Sequence, residues 1–449
     1  MNKRIPLTII AFAVVGCILI SALAVTAVVL LARNPPAPTS QPSIIPTPDP
    51  FADVSTQMDQ IQTEVIGIRG LEPSRPVNRD VITPEELRLK VMNDFFKDYL
   101  PEDAANDARV LAAFGLLPPN FDLITFFNEL YSEQIAGFYD TETKEMYIVQ
   151  GEAFQGTERM TYSHEYTHVL QDQNYDLYNG LKLNDEYCKN QTEYCAAATA
   201  LIEGDASMTE QIWLRKYSTD KDKQQIQDFY STYSSPVFDR SPDFIKLDLL
   251  FPYQQGLDFV NYWYARDQFD SIDRMYQNPP VSTEQILHPD HYPNDLPEEV
   301  FLPDIAAVLG EDWKQTEGNL MGEWYSYLIL AAGDNASARV PNSEARTAVD
   351  GWTGDTYIAC WNESTQSFVL VWRTHWDTIV DTAEFWVALE KYGTARWGEP
   401  DERQANEIKW SSTVDGVVDL QRSDNEVWWI MLPSASEFDT ITSILPIGK

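Results

Sequence analysis

Three textures of apolar and polar residues succeed one another along the chain. The first is an unbroken apolar run from Leu7 to Ala32, with Lys3 and Arg4 before it and Arg33 after it. At about 1.5 Å per residue a helix of that length spans roughly 39 Å, enough to cross a bilayer with some tilt. The run exceeds the apolar core of a cleaved secretory signal. It predicts a signal anchor over residues 1–33, with its basic end cytoplasmic and the rest of the chain outside. "VVGC", ending at Cys17, looks like a lipoprotein cleavage box, but the apolar run continues well past it. Seven prolines between Pro35 and Pro50 then make residues 34–51 an extended stalk.

The second texture has the helical period. Thr83 is placed as an N-cap, Pro84 at the first helical position and Glu86 as the capping-box partner. Helical patterns continue through "DARVLAAFGLL" and "DLITFFNELYSEQ". A hairpin is predicted from Gly137–Tyr139 and Glu145–Val149 around a polar turn. A helix that Thr157 could cap follows, then a long Ala-rich helix from about Ala196 and further helical patterns to about residue 275. The Pro-rich stretch "NPPVSTEQILHPDHYPNDLP" reads as a loop with one short helix.

From about Ser343 the texture changes to strands, "DTYIACWN" and "SFVLVWRTHW", a helix at "DTAEFWVALEKYG", and three more strands ending in "EVWWIML". The expected fold class is α+β. Residues 52–340 form a mainly helical domain with a small edge hairpin, and residues 341–449 form a small α+β unit. That Trp-rich unit either packs on the first domain or binds a partner.

Composition changes this picture little. Apolar residues at 44% and aromatics at 12% mark a folded chain. A net charge of −37 opposes nucleic-acid binding, because a phosphate backbone would be repelled. Beyond Cys17 and the lone Cys360, Cys188 and Cys195 lie close enough to form a local disulfide in an oxidising exterior, although spacing alone does not fix the pairing.

The candidate chemistry lies in "TYSHEYTHVLQDQ", Thr161–Gln173, which holds two of the chain's five histidines. On a helix His164 and His168 leave the same face one turn apart, and Glu165 projects about 60° from His168. Zinc in a hydrolytic site takes neutral imidazoles and keeps a position open for water, whose proton a neighbouring glutamate can accept. HExxH meets those demands. A third ligand has to come from elsewhere. Glu203 sits among Ala200, Leu201, Ile202 and Ala206, where a metal would compensate a carboxylate that is otherwise costly to bury. Asp185, Glu193 and Asp205 are weaker alternatives, in the loop or off that face.

"HEYTHVLQDQ" followed by "LIEGDA" resembles the zinc metallopeptidases whose ligands are HExxH plus a downstream glutamate, the gluzincin or thermolysin-like type. With "STEQILHP", Ser282–Pro289, the chain is similar to uncharacterised predicted bacterial metallopeptidases that are membrane-anchored or secreted. The resemblance covers about residues 130–295. It implies a zincin-like catalytic domain, zinc on His164, His168 and Glu203, Glu165 as general base, and a peptide or protein substrate. The thermolysin pattern also has an aspartate four residues beyond the glutamate ligand, supporting a histidine. Ser207 stands at that position here, which shifts the supporting role to Asp205 or Asp172.

Within that reading Lys144–Val149 is the candidate edge strand for pairing with an extended substrate. His288 and Tyr253 are the candidate donors to the oxyanion. His288 and His291 could alternatively bind a second metal, but no further ligand cluster accompanies them and a solvated pair is the simpler expectation. His375 is expected to be structural. The rival to a peptidase is a non-catalytic cell-surface binding protein with a vestigial zinc site. A zinc hydrolase acting on something other than peptides is a third reading.

Overall fold

The computed structural model describes residues 54–90, 93, 99–149 and 154–447, so the predicted anchor and stalk lie outside the described residues. Among the described residues no helix is long and apolar enough to cross a membrane. The chain is α+β, with helices dominating its first part and a large sheet its last.

Helix α1 (Val54–Arg69) leads to β1 (Asn78–Ile82) and α2 (Pro84–Lys90). The capping box at α2 forms as the sequence indicates. Thr83 N–H donates to Glu86 Oε2 at 2.7 Å, and Glu86 N–H donates back to Thr83 Oγ1 at 3.2 Å. Next come α3 (Pro101–Ala113), α4 (Leu123–Gln134) and the hairpin of β2 (Gly137–Asp140) and β3 (Glu145–Val149). Helix α5 (Gly156–Tyr175) carries the histidines. It starts ahead of Thr157, with the Glu158 side chain accepting the Gln155 N–H at 2.9 Å.

The first sheet corrects one expectation. Its order is β1-β3-β2, so the strand proposed as a free edge is central. On one side β3 pairs with β1 in parallel, Asn78 opposite Glu145 through Ile82 opposite Val149. On the other it pairs antiparallel with β2. Lys144–Val149 therefore has no free backbone edge to offer a substrate. Strand β1, "NRDVI", escaped the sequence reading because it is mostly exposed and lacks the apolar alternation that marks a half-buried strand.

After α6 (Asp185–Cys188), the disulfide Cys188–Cys195 pins the connection to the start of α7 (Thr192–Lys216). Helix α8 (Asp220–Thr232) and the short α9 (Pro236–Asp239) precede α10 (Asp243–Met275), whose backbone leaves helical geometry at Asp267 and Gln268. Helices α7 and α10 touch backbone to backbone. A Cβ built on Gly204 would stand 2.2 Å from Gly256 O, and one on Gly256 would stand 2.1 Å from Ala200 O. Side chains are excluded at both positions, so Gly256→Ala has to push the two helices apart. We expect it to lower stability by at least ~1–3 kcal/mol, the usual cost of overpacking, measured by chemical denaturation.

The remaining elements are α11 (Thr283–Leu287), α12 (Ile305–Leu309), β4 (Trp313–Asn319), α13 (Gly322–Ala331), α14 (Asn342–Val349), β5 (Trp352–Asn362), β6 (Ser367–Trp376), α15 (Ile379–Trp397), β7 (Glu402–Arg403), β8 (Glu407–Thr413), β9 (Gly416–Ser423), β10 (Glu426–Leu432) and α16 (Phe438–Ile444). Strands β4 to β10 form one sheet of order β4-β5-β6-β10-β9-β8-β7. Its first strand lies ahead of residue 341, so the sheet reaches back into the segment read as the helical domain.

Sheet and helices share a core. Phe114, just after α3, meets Tyr357, Trp372 and Trp429 edge-on at 5.2–5.9 Å between ring centroids. Tyr392 and Arg396 of α15 donate to the carbonyls that end α3. Trp352, Trp372, Trp376, Trp410, Trp428 and Trp429 are fully buried. These tryptophans are core and offer no exposed docking surface. The buried Asp355 carboxylate fastens the junction, accepting from Met321 N, Gly322 N, Trp352 Nε1 and Trp372 Nε1. His375 pairs with Glu426 at 3.1 Å across the β6–β10 ladder, in keeping with a structural role.

Candidate metal centre

Helix α5 is buried on every face from Met160 to Asp172, although that stretch contains Thr161, Ser163, His164, Glu165, Thr167, His168 and Gln171. An ordinary surface helix would turn those polar groups to water. Here α1, α7, α8 and the first sheet enclose them. Their polarity has to be satisfied inside the protein.

The structure brings His164, His168 and Glu203 together, with one donor atom from each lying within 4.8 Å of the others. His164 Nε2 is 3.1 Å from Glu203 Oε2, and His168 Nε2 is 3.4 Å from the same oxygen. Nitrogen and oxygen donors bound tetrahedrally at ~2.0–2.1 Å lie about 3.3 Å apart, so these separations fit a small four-coordinate cation. His168 Nε2 and Glu203 Oε1 are buried with no hydrogen-bond partner among the described residues. The electrostatics agree. Burial alone would depress the His164 pKa, yet Glu203 and Glu210 outweigh it and push it up to about 10. Burial would raise Glu203, yet the two imidazoles hold its carboxyl down at about 2. The cluster thus stabilises positive charge at its centre, a role that a metal cation can fill.

A hydrogen-bonded neighbour fixes which nitrogen of His168 faces inward. Gln171 Nε2 donates to Ile202 O at 3.0 Å and to Asp205 Oδ2 at 2.9 Å. Its Oε1 must therefore accept, and it lies 2.8 Å from His168 Nδ1. His168 then carries its proton on Nδ1 and turns the Nε2 lone pair toward the cluster. His164 Nδ1 faces Glu210 Oε2 at 3.2 Å, within ion-pair distance but without hydrogen-bond geometry.

Of the two expected supporters, Asp205 acts at one remove. It holds Gln171 while also taking Arg69 Nε at 2.8 Å and the Tyr276 hydroxyl at 2.8 Å. Asp172 instead takes Tyr139 and Lys144, each at 2.8 Å. Ser207 Oγ has no hydrogen-bond partner among the described residues. The residues missed from sequence are Glu210 and Gln171. Glu210 falls seven residues beyond Glu203, within about 20° of the same helix face, which was the available signal.

The other candidates separate. Tyr253 on α10 stands beside the centre, its ring centroid 6.3 Å from that of His164. His288 is directed elsewhere, with Nε2 2.9 Å from Glu323 Oε1. Its helix α11 is tethered through Thr283 to Glu193, ten residues and about 15 Å along α7 from Glu203. His288 is thereby removed as an oxyanion donor. Glu193 is committed to Thr283 and Asp205 to Arg69 and Gln171, while Asp185 is exposed, so none of the three replaces Glu203.

Residues 311–442 match a family described as a domain of unknown function, DUF8575. That stretch covers the seven-stranded sheet unit and none of His164, His168, Glu165 or Glu203. No curated protein and no solved structure matches the chain.

Proposed function

We propose that the chain is a zinc-dependent peptidase of the zincin type, held at the membrane by its N-terminal segment and acting outside the cytoplasm. His164, His168 and Glu203 would hold the ion, and Glu165 would be the general base. The observation that carries this reading is the spacing of the three buried donors, at 3.1 and 3.4 Å, with Glu165 next to His164 on the same helix. Two imidazoles and one carboxylate suit zinc, and three protein ligands leave a fourth position free, as catalytic sites require. When bound, zinc supplies Lewis acidity and makes water a nucleophile near neutral pH. Glu165 accepts the proton of the attacking water and returns it to the leaving nitrogen. Gln171 would hold the His168 ring in position, and Glu210 stands 3.2 Å from His164 Nδ1. Tyr253, whose ring lies 6.3 Å from that of His164, would be the donor to the oxygen on which negative charge develops.

One observation favours the rival. His164, Glu165, His168 and Glu203 are all buried, as a purely structural metal site would be. For a peptide to reach them, a covering element has to move, and α10, which carries Tyr253, lies against the site. A peptide-library digest with the full-length chain separates the readings. Cleavage that a chelator stops and added zinc restores is expected. Bound zinc with no cleavage of any peptide would establish the non-catalytic or non-peptide reading instead.

A further inference from the structure

A second group of acids and histidines lies where α11 meets the start of α7 and α13. Thr283 N–H and Oγ1 both donate to Glu193 at 2.8 Å, and Trp324 N–H donates to Thr283 Oγ1 at 3.2 Å. Four carboxylates are buried at this junction: Glu193, Glu284, Glu323 and Asp355. They are not equally provided for. Asp355 has four donors and Glu193 has Thr283, whereas Glu323 has His288 on one oxygen and no hydrogen-bond partner among the described residues on the other. Glu284 is 1% exposed and neither of its oxygens has a hydrogen-bond partner among the described residues. No lysine or arginine among the described residues forms an ion pair with any of the four. A buried carboxylate left in this state is costly unless a cation compensates it.

The other donors converge on Glu284. His291 Nδ1 lies 3.6 Å from Glu284 Oε1 and 3.2 Å from Asp295 Oδ2. One ligand atom each from Glu284, His291 and Asp295 fall within 4.8 Å of one another. The loop backbone builds the pair, with Asp295 N–H donating to His291 O at 3.0 Å and the Gln285 amide holding Asp295 O. The His291 ring stacks on His288 at 5.0 Å, and His288 is itself fixed by Glu323. Glu284 forms a buried wall, while His291 and Asp295 are about a third exposed, leaving the solvent side open to an ion and its waters.

We propose that Glu284, His291 and Asp295 form a second divalent-cation site, for an ion of the zinc or manganese kind, which clamps the 288–295 loop onto α11. An imidazole beside two carboxylates selects such an ion over calcium or magnesium, which prefer oxygen donors alone.

The test reads metal binding and thermal stability, so its outcome does not depend on whether the chain cleaves peptides. Full-length chain carrying Glu203→Ala, which lacks the first centre, is stripped with a chelator and equilibrated with zinc, manganese or calcium. One equivalent of zinc or manganese is expected to bind and to raise the unfolding midpoint. His291→Ala and Asp295→Asn in that background should each weaken binding at least ~10-fold, since even groups that only support a ligand are worth that much. Glu284→Gln should remove the site. Asp295 is 37% exposed, so its substitution tests the site even where the buried Glu284→Gln chain fails to fold. If Glu203→Ala does not fold, the same substitutions should reduce the wild-type content from two equivalents to one. No uptake of zinc or manganese, uptake indifferent to these substitutions, or preference for calcium would overturn the proposal.

Discussion

Glu165→Gln is expected to leave the metal in place and to lower peptide hydrolysis by about 10²–10⁴-fold, the usual worth of a positioned general base. The side chain is buried on a helix whose neighbours His164 and His168 belong to the cluster, so an isosteric amide preserves the packing around them. The hydrogen bond that orients His168 comes from Gln171, a residue the substitution leaves intact. Metal content by elemental analysis and the circular dichroism spectrum should match wild type, while turnover at saturating peptide falls. An unchanged turnover number would remove Glu165 from the chemistry and leave the zinc reading to stand without it. A loss of metal together with activity would make Glu165 a structural support for the cluster.

Much of the candidate centre was legible because its signals are local. The i, i+4 spacing of His164 and His168 needs only helical geometry, and Glu203 stands out as a carboxylate among alanine, leucine and isoleucine. The α10 end near residue 275, the capping box at Thr83 and the C-terminal strands were readable for the same reason. Long-range pairing was not. That β3 is central depends on β1, a mostly exposed strand more than sixty residues upstream with no alternation to betray it. That Asp205 acts through Gln171 depends on where α7 and α5 cross, which no spacing within either helix encodes. The cluster around Glu284 is similar. His288 and His291 gave no metal pattern by themselves, because the buried wall comes from α11, which packs against both α7 and α13.

Glu203→Ala should cost the chain one equivalent of metal and its hydrolytic activity together. Glu203 is the only carboxylate in the first cluster, and its Oε2 lies near both imidazole nitrogens, so its removal leaves two donors where zinc needs three from the protein. Loss of a direct ligand should exceed the ~10–100-fold weakening typical of a supporting group, which places zinc affinity more than ~100-fold below wild type. Glu203→Gln keeps the volume and removes the charge, so it separates ligation from packing. If both variants lose the equivalent, the carboxylate is a ligand. If only Ala does, the cavity is responsible. Zinc bound at a thousand times its dissociation constant stabilises the folded chain by about 4 kcal/mol, so the variants should also lose the first centre's share of the zinc-dependent rise in unfolding midpoint. A Glu203→Ala chain with wild-type metal content and full turnover would transfer the third-ligand role to another residue. No other carboxylate among the described residues completes the His164–His168 pair within ligand distance, so that result would also break the geometric case for zinc at this site.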